Sequence, residues 1–171
     1  MKLLIWSLLV LVSLESTYSA DLSPINSVKF EGDLEAPFVL DQRWLDAAPP
    51  LSKVTVQRSI TKPDGTSATE SFTGYLLRDL LKIAKPIQRD RHDWKKQVVS
   101  ATAFDGYVVI FSNAELVNSK IGDEVVLYFQ KDGKSIDLES EGFGLISTAD
   151  TRTGPRHVKV ITKIGLFKPI P

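Results

Sequence analysis

The chain contains no cysteine, and that absence removes several chemistries at once. It has no thiol nucleophile and no Cys-based zinc site, carries no acylated lipoprotein N-terminus, and folds without disulfides. An excess of charge of one sign is lacking too, since 21 basic residues balance 21 acidic ones. No global field therefore directs the protein to nucleic acid or to an anionic membrane. The two histidines, His92 and His157, are far apart and belong to no H-x-x-x-H or H-E-x-x-H array. Gly142 to Ser147 does not match the G-x-S-x-G nucleophile elbow. Asp132, Asp137, Glu139 and Glu141 lack the ligand order of an EF-hand and read as turn and surface residues.

What is present begins with Lys2 and the apolar run through Val12. This is a charged n-region and a short h-region, too short to span a bilayer, and it reads as a cleavable signal peptide over residues 1–20. Thr17 and Ser19 supply small residues for processing near residue 19 or 20. The remainder, residues 21–171, has no second apolar span and is long enough to bury a core without staples. With no N-x-[ST] acceptor in the chain, a bacterial periplasm is the expected compartment.

Short elements dominate the body. Val28 to Phe30 and Phe38 to Leu40 read as an opening strand pair, followed by a helix over Asp41 to Ala47 capped by Asp41. Val54, Val56 and Ile60 alternate as in a strand, and Pro63-Asp64-Gly65 turns the chain back toward Thr69 to Phe72. Leu76, Leu77, Leu80, Leu81 and Ala84 form a stripe of helical period, which predicts a helix from Thr73 or Gly74 up to Pro86. Strands are expected over Gln97 to Thr102, Tyr107 to Phe111, Glu124 to Phe129 and Val158 to Phe167, with a helical turn over Ala114 to Val117. Asp132-Gly133 is a hairpin signal, and the charged run Arg89 to Asp93 reads as a solvated loop. The sum is a single α+β domain built on a mixed β-sheet.

Three segments carry a further indication. Phe72, Gly74, Leu76, Leu77, Asp79, Leu80 and Leu81 are followed by Ala103, Asp105, Gly106 and Tyr107, and then by Gly154, Pro155, Arg156, His157, Val158 and Lys159. In that order and at those intervals they resemble the molybdopterin-binding domain of sulfite-oxidase-type enzymes, above all its small stand-alone secreted relatives, over Val28 to Leu166. In those enzymes a Cys thiolate ligates molybdenum, a soft ligand this chain cannot supply. The resemblance thus implies a sulfite-oxidase-type mixed-sheet fold that keeps a pterin-type pocket without the metal chemistry.

The resemblance also suggests where a ligand would be held. The metal-ligand position falls near Arg58 and Ser59, in a loop after the strand at Val54 to Val56, and a guanidinium there suits the electron-rich edge of a pterin. Asp105 can accept two parallel bonds from the 2-amino edge of such a ring, or simply close its turn. Phe104, Tyr107 and Trp44 are stacking candidates or core residues, and Ser147 is a hydroxyl donor. Arg156 and Lys159 occupy the segment that receives the pterin phosphate in the family, or are solvated charges beside a strand.

Cysteine-free relatives of this kind include pterin sensors that pass ligand state to the periplasmic domain of a membrane-bound cyclic-di-GMP synthase/phosphodiesterase. The chain looks like one of them: a non-enzymatic protein with a tetrahydropterin-like ligand and no metal. A molybdopterin-dependent oxidoreductase and a ligand-free interaction module remain as alternatives.

Overall fold

The computed structural model describes residues 25–47, 50–152 and 154–169; the leader expected over residues 1–20 lies outside them. Among the described residues no helix is long and apolar enough to cross a membrane. Among the described residues ten strands join in one mixed sheet, accompanied by three short α-helices. In chain order the elements are β1 (Val28–Gly32), β2 (Phe38–Leu40), α1 (Gln42–Asp46), β3 (Val54–Thr61), β4 (Ser67–Leu76) and α2 (Leu77–Ala84). They continue as β5 (Val98–Ala103), β6 (Val108–Ser112), α3 (Asn113–Asn118), β7 (Val125–Lys131), β8 (Lys134–Ser135), β9 (Phe143–Ser147) and β10 (Val158–Phe167). The α+β, single-domain expectation therefore holds at the level of architecture.

Local chemistry explains most of these boundaries. Asp41 precedes α1 and accepts the Trp44 backbone N–H at 2.9 Å, an N-cap of ordinary form. Asp132 and Gly133 both take positive φ, which suits the two-residue turn joining β7 to β8. Asp132 also exchanges bonds with the Ser71 backbone, so the hairpin is tied to β4.

Helix α2 starts later than its apolar period predicts. Gly74, Tyr75 and Leu76 instead extend β4, because each has a partner on β7. Ladder bonds to a strand far away in sequence outweigh the propensity to add one more helical turn. From Leu77 on the expected stripe is realised, with Leu77, Leu80, Leu81 and Ala84 buried, and the helix ends at Lys85 in the left-handed region just before Pro86. The Arg89 to Asp93 run is not wholly solvated either. Asp93 is buried, accepts the backbone N–H groups of Arg89 and Asp90, and pairs with Lys168 Nζ at 2.7 Å.

The last strand, β10, organises the sheet. Its first part lies antiparallel to β9, its later part runs parallel to β1, and β5 pairs along its other edge. The change of neighbour coincides with register shifts around Ile161 and with Val160 at φ 50°. A β-branched residue in that region stores strain, on the order of 1–3 kcal/mol. The resulting bulge turns the segment His157 to Val160 out of the regular pleat.

Two apolar clusters flank the sheet. The larger gathers Phe30, Leu40, Leu80, Phe111, Leu145 and Ile164 with many others, while a smaller one comprises Phe72, Leu76, Val126, Tyr128 and Ile146. The site described below rests on the smaller cluster. Within it, the ring of Tyr128 on β7 lies over Gly144, its partner on β9, where any Cβ would sit inside the ring. Substituting Gly144→Ala overpacks this contact and lowers stability by about 1–3 kcal/mol, an outcome that chemical denaturation of the purified variant measures directly.

Candidate functional site

Alternation along β3 places Arg58 on the face that carries Val54 and Val56, half-buried against Phe72, whose ring centroid is 5.3 Å from the guanidinium carbon. Its cross-strand partner on β4 is Glu70. Glu70 Oε2 accepts from Arg58 Nε at 3.1 Å and also from Nη2, while Oε1 receives Lys131 Nζ at 2.8 Å. The third guanidinium nitrogen, Nη1, lies 3.0 Å from His157 Nδ1, and His157 Nε2 lies 2.8 Å from Tyr128 Oη. Three strands, β3, β4 and β7, and the residue just before β10 thus contribute to one polar chain: Glu70, Arg58, His157, Tyr128.

The chain ends at a cavity of about 290 Å³ whose wall includes Tyr128, Lys131, Glu141, Gly142, His157 and Lys159, together with the strained Val160. Such a volume is at the lower end of small-ligand pockets, about 300–1,000 Å³. It suits a ligand of one or two rings rather than a dinucleotide. A larger hollow of about 450 Å³ beside Asp41, Gln42, Arg43 and Glu139 is a weaker candidate, because its polar groups are already engaged. Asn26 donates to Glu139, Asp41 caps α1, and Arg43 lies 3.5 Å from Asp41.

The electrostatics of the first site follow from burial among cations. His157 is lowered to about 4, chiefly by burial and then by the charges of Arg58 and Lys159. It is therefore neutral at physiological pH. Burial pulls the Glu70 carboxyl upward, but its bonds from Lys131 and Arg58 win and hold it at about 2. Burial pushes the Tyr128 phenol up to about 12, so its hydroxyl keeps its proton.

The residues singled out from sequence do not all meet here. Arg58 and Lys159 converge on this site, although Arg58 lies within β3 and not in a loop after it, because the strand runs on to Thr61. Ser59, the next residue, faces solvent on the other side of the strand. Asp105 accepts the Tyr107 backbone N–H at 2.9 Å, the turn-closing arrangement, and is exposed. Its neighbours Phe104 and Tyr107 are each 47% exposed. The turn reaches the cavity's border through a bond from the Phe104 N–H to the Val160 carbonyl, and Tyr107 Oη donates to Pro155 O at 2.6 Å.

Trp44 packs elsewhere, between Phe38 and the edge of Tyr75, in the larger core. Arg156 forks onto Asp150, reaches Glu115 Oε1 at 2.6 Å, and stacks on Phe111 at 4.5 Å. These bonds hold the Asp150 carboxyl below the usual carboxylate range. Arg156 is thus spent on structure. Ser147 is fully buried; it is near enough to Asp150 to help lower it, yet its hydroxyl forms no well-shaped hydrogen bond.

Glu70, Tyr128, Lys131, Glu141 and His157 were not legible as site residues. Nothing in their spacing groups them, and His157 carries no metal or triad motif. The one available signal was the Arg-His-Val-Lys segment, in which strand alternation sets His157 on the same face as Lys159. A thiolate-ligated metal does not fit the arrangement: the position suggested for the ligand holds a guanidinium already paired with a carboxylate. The sequence matches no family model and no curated protein.

The site sets a pH dependence. Between about pH 6.5 and pH 4 the unfolded chain binds a proton at His157 that the native state refuses, so stability falls as pH falls through that window. Glu70 adds a further loss between 4.5 and about 2, where the native carboxylate resists protonation. His157→Gln should flatten the loss between pH 6.5 and 4 in denaturation curves and leave the more acidic loss in place. Arg156→Ala should destabilise the protein by about 2 kcal/mol in chemical denaturation, because two partly buried carboxylates lose their partner.

Proposed function

We propose that the chain is an exported, non-enzymatic binding protein that holds a reduced pterin or closely related heterocycle in the cavity beside Gly142 to Gly144. The observation that carries this reading is the ordered chain from Glu70 through Arg58 and His157 to Tyr128, which ends on the cavity wall. Arg58 stands where the resemblance puts the metal-ligating thiolate, so the polar chain takes the place of metal chemistry. Tyr128, Lys131 and Lys159 offer donors to the oxygen and ring-nitrogen edge of a pterin. Glu141, in place of Asp105, is the carboxylate positioned to accept a 2-amino group and its neighbouring ring N–H.

In this proposal the protein works in the periplasm and reports its ligand state to the periplasmic domain of a membrane-bound cyclic-di-GMP synthase/phosphodiesterase. The signal requires a ligand that binds the partner-competent and incompetent states unequally. The strain at Val160, beside both the cavity and the Phe104 turn, marks the segment where ligand contacts would bias such a surface. A second reading, an interaction module without any small ligand, is favoured by the exposed Val108 and Ile110 on β6, which are 47% and 50% accessible.

Mass spectrometry and fluorescence of small molecules released from the purified mature protein, together with thermal shifts in tetrahydrobiopterin, separate these readings. A ligand at a hundredfold excess over its Kd stabilises the native state by about 2.7 kcal/mol, on the order of 5–10 °C for a domain of this size. Glu141→Ala should abolish the shift and Tyr128→Phe should reduce it, while Asp105→Ala should keep it. No retained pterin and no shift at saturation would leave the interaction module as the account of the protein.

A further inference from the structure

Arg58 is not part of the cavity wall; it acts from behind it. Glu70 occupies its Nε and Nη2, which leaves Nη1 to face His157 Nδ1 at 3.0 Å. A guanidinium only donates, so Nδ1 must keep its lone pair. The proton of the neutral imidazole is then on Nε2, and from there it is donated to Tyr128 Oη, 2.8 Å away. The phenol oxygen is thereby used as an acceptor, and its own proton is free for a third partner.

We infer that Arg58 is a positioning residue that fixes the tautomer of His157 and so makes the Tyr128 hydroxyl a one-way donor into the cavity, selecting ligands that present a carbonyl or anionic oxygen there over ligands that present an amino group. The inference rests on the cavity being the ligand site. The charged groups that act on His157 are Arg58 on β3, Glu70 on β4, Lys131 on β7 and Lys159 on β10, three cations against one carboxylate, and Glu141 lines the same cavity. A second proton on the ring is accordingly disfavoured, and the Nε2–H form persists at neutral pH. Lys131 and Lys159 reinforce the preference, because an ammonium also donates and never accepts. A buried donor faced with an amino group is left unpaired, which is the source of discrimination.

Two measurements on the full mature chain test this. Long-range proton–nitrogen correlation spectra of the uniformly 15N-labelled protein at pH 7 should show His157 as a single Nε2–H tautomer. Calorimetric titration with pterin and with 2,4-diaminopteridine compares two rings of the same shape that carry an acceptor oxygen or an amino donor at position 4. The 4-oxo ring should bind roughly tenfold or more tightly. Tyr128→Phe should remove that preference and retain the tautomer, while Arg58→Gln should lose both. Should Arg58→Gln fail to fold, the unmodified protein and Tyr128→Phe decide the matter. An Nδ1–H or mixed tautomer, or equal affinity for the two rings, overturns the relay. Binding of neither ring, with the Nε2–H tautomer in place, overturns the pterin reading and the ligand selection that rests on it.

Discussion

The constraint on which the rest depends is that one strand, β10, serves three neighbours at once. Its N-terminal part must reach β9, its C-terminal part must lie between β1 and β5, and a regular strand cannot do both. The chain resolves the conflict with a bulge at Val160, accepting a left-handed β-branched residue that only extensive surrounding pairing can hold. The consequence is a local opening beside Gly142 and Gly144, where His157 and Lys159 emerge next to Tyr128.

That opening is chemically unusual for its size. Cations gather around an imidazole that stays neutral, and Glu70, the carboxylate that acts on it, is committed to Arg58 and Lys131. The network spends its charges on orienting a neutral acid–base group rather than on ionising it. The two nitrogens of that imidazole face a guanidinium and a phenol held well above neutral pH. The bonds along this chain fix the orientation of each group in it.

Much of the scaffold was readable along the chain because its causes are local. Asp41 caps α1, Asp132-Gly133 turns β7 into β8, and the alternation of Val54, Val56 and Ile60 marks β3. The closing strand falls where its apolar pattern places it, Val158 to Phe167. The start of α2 was misread because Gly74 to Leu76 fit a helical stripe equally well, and only their pairing with β7 makes them strand. Of the site, Arg58 and Lys159 were visible as charges in suggestive segments, but Asp105 and Arg156 have their own local partners.

The sequence alone determined the missing thiolate and the balance of charge, which are matters of composition, and most element types, turns and caps, which depend on residues within a few positions of one another. Tertiary structure decided which side chains share a space. Arg58 and His157 meet across 99 residues, and Tyr128 and His157 across 29. No periodicity encodes those meetings, because they are set by sheet register and by a bulge whose position depends on three other strands.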